Sequence, residues 1–315
     1  MAKHPSSNKP ALDHKPSAIL PLKISPIEIA MAMLVPLVWG MGFVFAKGAI
    51  GHFPPILLMA FRFSLTAAVL VWFAPIPRGH LKQLFVIAII AAAIQYSLTF
   101  TGLKGLEAGL ASLIVQLEVP FLVLLGAVLL KEQPGWRKWF GIAISFCGVG
   151  LMSQQDELSG SLTSVMLVIS GCFVWALGQV MVRRLKDIEG LQVTAWVAVF
   201  ATPQLFFMSW LFEDGQWGAI INADATVWWT VLYLGLVMTC FGYFLWNTLI
   251  RRHDVGRVAP FLLLLPLFSV IGGVVFLGEE ASLDKLAGGG VILLGVAIIT
   301  IRPDLLRRRQ KINHG

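Results

Sequence analysis

The chain has 315 residues, of which 57% are hydrophobic and only 13% charged, with a mean hydropathy of +0.80 and a net charge of +7. Soluble domains carry roughly a quarter charged residues, and a water-exposed fold of this size could not hide so much apolar surface. A soluble globular protein is therefore excluded, and lipid is the expected solvent. The basic excess alone would suit nucleic acid, but its placement points to membrane orientation, so no nucleic-acid partner is expected.

Residues 1–26 are polar, carry Pro5, Pro10, Pro16, Pro21 and Pro26, and read as a disordered cytoplasmic tail. The first apolar run, 27–47, is too long for a signal-peptide core and is expected to be retained. A membrane-spanning helix needs about 20 apolar residues. By that measure spans are expected at 27–47, 56–74, 84–103, 106–130 and 136–152, then at 162–182, 191–212, 227–250, 255–277 and 285–301. The expected fold is an all-α polytopic membrane protein of ten transmembrane helices. Its units are a five-helix repeat over 27–155, a second over 156–302, and a basic cytoplasmic tail over 303–315. Cys147, Cys172 and Cys240 all lie within spans, show no metal or disulfide spacing, and read as packing residues.

Lys and Arg stay on the cytoplasmic side of a membrane. Lys3, Lys9, Lys15 and Lys23 precede the first span, and alternate loops carry Arg78 and Lys82, then Lys131, Arg137 and Lys138, then Arg183, Arg184 and Lys186, then Arg251, Arg252 and Arg257. The end of the chain adds Arg302, Arg307, Arg308, Arg309 and Lys311, which places 20 of the 24 basic residues on one side. The opposite loops hold Lys47, Lys104 and Lys285, while those at Asp156–Glu157 and Glu213–Asp214 are acidic. Both termini are expected in the cytoplasm, which requires an even number of spans.

An offset of 147 residues pairs Tyr96 with Tyr243, Gly109 with Gly256, Phe121 with Phe268, Gly126 with Gly273, Glu132 with Glu279, Gly141 with Gly288 and Gly148 with Gly295. An offset of 136 pairs Trp39 with Trp175, Gly42 with Gly178 and Lys47 with Arg183. Two copies of five spans enter the membrane from opposite sides. Such inverted repeats are a common architecture of secondary transporters, because related halves give inward- and outward-open states of similar energy.

The second half carries Tyr243, Trp246, Leu249 and Arg252, then Arg257-Val258-Ala259-Pro260, Leu264, Pro266 and Gly278-Glu279. The first carries Val38-Trp39-Gly40, Phe43, Arg62-Phe63, Ala108-Gly109-Leu110-Ala111-Ser112-Leu113 and Glu132. In order and spacing these resemble the EamA family of the drug/metabolite transporter superfamily, most closely its bacterial O-acetylserine/cysteine and amino-acid exporters. The resemblance implies two inverted five-helix repeats around a central cavity, and efflux of amino acids or related small metabolites across a bacterial inner membrane. Drugs, nucleobases or sugars would suit the same architecture.

Polar groups in spans turn towards the bundle interior or a cavity. Helical spacing aligns Gln95 with Thr99 beside Tyr96, Ser112 with Gln116 before Glu118, Trp175 with Gln179, and Thr239 with Tyr243 and Asn247 beside Trp246. Trp39 and Phe43 hold the corresponding places in the first span. Rings beside amides make a wall suited to an amphipathic solute, so these residues are the expected substrate site; interhelical hydrogen bonding by the amides is the competing role. Glu118 is a candidate for proton coupling, with an ion pair to Arg62 as its structural alternative. The resemblance assigns it no coupling role. Pro36, Pro120, Pro203, Pro260 and Pro266 interrupt spans, and Pro260 and Pro266 could hinge the ninth. The Gly141/Gly148 and Gly288/Gly295 faces read as close helix packing, which allows a homodimer without requiring one.

All six histidines lie in the tails or near span ends, and no zinc-protease motif, phosphate-binding loop or intramembrane aspartate pair is present. An enzyme is not expected, nor any cofactor or metal. Loops this short leave little surface for a receptor or scaffold.

Overall fold

A computed structural model describes residues 25–153, 162–185, 188–253, 258–280 and 282–301. The two terminal tails, the Asp156–Glu157 loop, Lys186, and Gly256 with Arg257 lie outside the described residues. Within them the chain is helical and contains no strand. The principal helices are α1 (Pro26–Ile50), α2 (Pro55–Phe73), α3 (Leu81–Lys104), α4 (Ala108–Leu129), α5 (Trp136–Ser153), α6 (Leu162–Arg184), α7 (Gly190–Phe212), α8 (Ala225–Arg252), α9 (Ala259–Leu277) and α10 (Leu283–Thr300). Eight of the described helices are long and apolar enough to cross a membrane; α5 and α10 fall short of that measure. Helix α5 begins with Arg137 and Lys138 beside two tryptophans.

Local chemistry sets the helix ends. Ser25 caps α1 by accepting the Glu28 N–H, while the Glu28 carboxylate accepts the Ser25 N–H at 2.9 Å, a reciprocal capping box. Helix α2 starts at Pro55, and its free N–H groups at Ile56 and Leu57 donate to the Glu213 carboxylate at 2.7 and 3.0 Å. Burial pushes the Glu213 carboxyl up, against the pull of these two backbone donors. Helix α4 breaks between Val115 and Glu118, because Pro120 has no N–H to return to the Gln116 carbonyl. Helix α9 likewise changes from a tight 3₁₀ turn to an α-helix at Leu265, beside Pro266.

Several local structures recur in both halves. Wide π-helical turns occur at Ile89–Ile94 in α3 and Tyr233–Phe241 in α8. Gly178 packs against Ala91 of the first turn, and Gly42 against Met238 of the second. The Glu132 N–H donates to the Gly126 carbonyl at 3.2 Å, and the Glu279 N–H to that of Gly273 at 3.1 Å.

The two ends of the bundle are held differently. At the end carrying the α3–α4 and α9–α10 loops, Glu279 accepts the Ala108 and Gly109 N–H groups at 2.6 and 3.3 Å. Lys47 donates to the Leu103 and Lys104 carbonyls at 3.1 and 2.8 Å, and Lys285 pairs with Glu107 at 3.0 Å. Glycines bring α3 and α6 together there: a Cβ on Gly102 would lie 2.7 Å from the Ser164 carbonyl oxygen. At the basic end, α1 and α8 meet instead through side chains, with Ala32, Val35, Leu245 and Leu249 in one apolar cluster. The Arg183–Glu132 pair at that end is 51% and 43% exposed, so water weakens it.

Helices α5 and α10 approach closely, backbone to backbone. A Cβ on Gly141 would lie 2.7 Å from the Gly295 carbonyl, and one on Gly148 would lie 2.7 Å from the Ile292 nitrogen. The Ser145 hydroxyl donates to the Gly141 carbonyl at 3.0 Å within this contact. The expected close-packing role of these glycines is met. Gly148→Ala should therefore overpack the contact and cost about 1–3 kcal/mol. Gly150→Ala, with nothing within 4 Å of the new carbon, should not lower the melting temperature of the purified protein, and a melting curve of each variant checks the contrast.

Candidate functional site

A cavity of about 400 Å³ opens between α2, α7 and α8. Leu70 and Phe73 close it from α2, Leu191 and Thr194 from α7, and Cys240, Tyr243, Asn247 and Arg251 from α8. Its volume falls within the range of small-molecule pockets, and its wall is mostly apolar with a few polar groups. Tyr243 and Asn247, four residues apart on α8, face it as their spacing predicts.

Behind Tyr243 stands an aromatic group built from α1 and α8. The Trp39 ring lies 5.4 Å from that of Tyr243 and 6.2 Å from that of Trp246. The Trp39 indole N–H donates to the Met238 carbonyl at 3.1 Å, within the wide turn of α8. Gly242 makes room for that indole, since any side chain there would collide with Trp39. All three rings are half-buried, and Tyr243 is the one that lines the cavity.

A second group centres on α2 and α3. The Arg62 guanidinium lies 4.8 Å from the centre of the Tyr96 ring, within cation–π range. The Phe63 ring meets the Tyr96 ring edge-on at 4.9 Å, and Phe100 stacks on Tyr96 at 5.7 Å. Phe43 stacks in turn on Phe100 at 6.0 Å and is itself buried, so it supports the wall from behind. Gln95 is buried and donates to the Thr99 hydroxyl at 3.1 Å, while its carbonyl oxygen has no partner among the described residues. The Arg62 Nε donates to the Thr239 hydroxyl, one turn before Tyr243 on α8, which links the two groups.

The remaining expected residues are placed differently. Gln116 is buried at the break in α4, at the end of the segment that carries the buried Ser112. Glu118 begins the second segment of α4 with its side chain half-buried near Cys172. It forms no ion pair with Arg62, which instead donates from Nε to the Thr239 hydroxyl at 3.1 Å. Trp175 and Gln179 are half-buried on α6. Among the described residues, Trp175 makes no ring contact with the Trp39 group and no hydrogen bond matching that of Trp39. Of the three cysteines expected to pack, Cys172 is buried, Cys147 is exposed on α5, and Cys240 lines the cavity. Neither Arg62 nor Cys240 is among the residues that spacing assigns to the site; the one available signal is a cation two turns inside an apolar helix. Among the described residues no group of three metal-ligating side chains comes together.

The EamA-like transporter family model matches this chain twice, over residues 26–154 and 162–301. The chain belongs to the EamA-like transporter family. A probable amino-acid metabolite efflux pump of Salmonella typhimurium is 32% identical to it over 278 residues, covering 85% of this chain and 93% of that protein. A protein of the same description from Escherichia coli is 30% identical over 279 residues, with the same coverage. A solved protein structure resembles this EamA chain with a TM-score of 0.63, covering 91% of this chain and 98% of that one. At 20% identity this likeness concerns the fold. The EamA-type chain is thus a membrane transporter with several membrane-spanning helices, as its composition and charge pattern anticipate.

If the cavity is open to water, a small water-soluble thiosulfonate should modify Cys240 in a Cys147→Ala/Cys172→Ala background. Cys172 as the sole cysteine should stay unreactive until the protein is unfolded. Mass spectrometry of the intact chain reads both results, and an unreactive Cys240 would contradict an open cavity.

Proposed function

We propose that this EamA-type transporter exports amino acids or related small metabolites across a bacterial inner membrane by alternating access, with both termini in the cytoplasm. The observation that carries the reading is the aromatic-walled cavity at Tyr243, in a chain about one-third identical to a protein described as an amino-acid metabolite efflux pump. Rings supply contact area for an apolar side chain, while the Tyr hydroxyl and the Asn amide offer hydrogen bonds that fix orientation.

The ten-span arrangement adds α5 and α10 to the eight longer helices, as two inverted five-helix repeats over 27–155 and 156–302. The double family match and the recurring wide turns with their facing glycines support it. In this reading the end bound by Glu279, Lys47 and Lys285 is the external face, held shut, and the cavity looks towards the cytoplasm. Trp39, Tyr96, Tyr243, Trp246 and Asn247 form the solute's first wall in this state. Phe43, Gln95 and Gln116 back that wall, and Trp175, Gln179 and Glu118 join the path when the halves exchange conformations.

Efflux of a panel of labelled amino acids from proteoliposomes, with and without a pH gradient, tests the proposal. Saturable flux is expected for at least one of them, reduced about tenfold or more in Trp39→Ala by loss of a buried aromatic anchor. If flux follows the gradient and Glu118→Gln abolishes that dependence, Glu118 couples protons. Absence of flux for every amino acid in correctly folded vesicles would overturn the substrate class.

A further inference from the structure

Arg62 lies two turns inside α2 and is only 2% exposed. Its Nε donates to the Thr239 hydroxyl at 3.1 Å, and its Nη1 reaches no stronger acceptor than the Met59 sulfur at 3.9 Å. Tyr96 covers one face of the guanidinium. Nη2 donates to nothing among the described residues, yet it is not fully sealed from water-sized space. No carboxylate among the described residues lies within 4 Å of the group. Five basic side chains at the bundle ends differ: Arg183 meets Glu132, Arg251 meets Glu189, Arg252 meets Glu28, Lys285 meets Glu107, and Lys47 meets two carbonyls.

A buried cation with no counter-ion is costly, and intramembrane charges that lack a structural partner mark solute or ion pathways. Arg62 stands behind the cavity wall: Cys240 and Tyr243 line the cavity, and Thr239, to which Arg62 donates, directly precedes Cys240 on α8. A guanidinium is a planar fork of donors whose complement is a planar pair of acceptor oxygens. Thr239 and Tyr96 hold one edge and one face of that fork, leaving donors free.

We propose that Arg62 receives the carboxylate of the transported solute at the deep end of the cavity, so that a free carboxylate is the feature this site recognises. The inference names the solute class of the exporter reading and rests on it for the link to transport. Thr239 acts as a positioning residue, since it orients the guanidinium without touching the solute.

The test uses the full-length protein and compares leucine, threonine and phenylalanine with their carboxamides. Two readouts run in parallel: competition against flux in proteoliposomes, and the ligand-induced rise in melting temperature of the purified protein. The free acid is expected to act at concentrations at least about tenfold lower than the amide. Arg62→Gln should erase that preference, and Arg62→Lys should keep part of it. Equal potency of acid and amide on the wild-type protein overturns the inference without any variant having to fold. So does an acid preference that survives Arg62→Gln. If no amino acid is carried but acids stabilise the protein selectively and Arg62→Gln removes the effect, the carboxylate site stands and the amino-acid exporter reading falls. Flux without acid selectivity leaves the exporter reading standing and overturns the carboxylate site. Absence of both flux and selective binding defeats both.

Discussion

A backbone N–H or carbonyl that leaves the helical pattern within a membrane must find its partner inside the protein. At one end of this bundle, charged side chains meet that demand across helices. Glu279 takes two N–H groups at the start of α4, Glu213 takes two at the start of α2, and Lys47 takes two carbonyls at the end of α3. Each contact satisfies groups that would otherwise be orphaned, and each also ties together helices distant in sequence. Glycines then let α3 and α6 approach at the same end. The opposite end combines apolar packing of α1 on α8 with exposed ion pairs, the enclosed Glu28–His253 contact, and side-chain donors to the Leu129 and Pro75 carbonyls.

Irregular backbone also shapes the site. The wide turn in α8 presents the Met238 carbonyl to Trp39, and Gly242 leaves room for the indole beside it. The break in α4 sets Gln116 at the end of one segment and Glu118 at the start of the next. Neither device changes composition or hydropathy, yet together they decide which rings and polar groups border the cavity.

The membrane character, the helix limits to within a few residues, and the α8 residues that line the cavity are legible in the sequence, because they depend on apolar run length and four-residue spacing. Tyr243 and Asn247 share a face on any α-helix. In α4 that spacing reaches only from Ser112 to Gln116, because the helix breaks before Glu118, beside Pro120. Charge pattern alone pairs Arg62 with Glu118, the only other charge deep in a span, whereas its contacts are the Thr239 hydroxyl and the Tyr96 ring. A neutral hydroxyl and a ring face leave little trace in a charge pattern. The inequality of Trp39 and Trp175 is equally invisible, since equivalent residues of a duplicated sequence differ only once the two halves adopt different packing.

The central claim is that the end closed by Glu279 and Lys47 must open during each transport cycle. A cysteine pair can lock that end. A Cβ on Gly105 would lie 3.1 Å from the Ser164 Cβ, so a slight separation of the two helix ends reaches the roughly 3.5–4.5 Å found in disulfides. The measurement is amino-acid flux by a Gly105→Cys/Ser164→Cys protein, with the native cysteines replaced by alanine, before and after reduction. The account predicts that the oxidised protein is inactive and that reduction restores flux. Full flux through the cross-linked protein would contradict it.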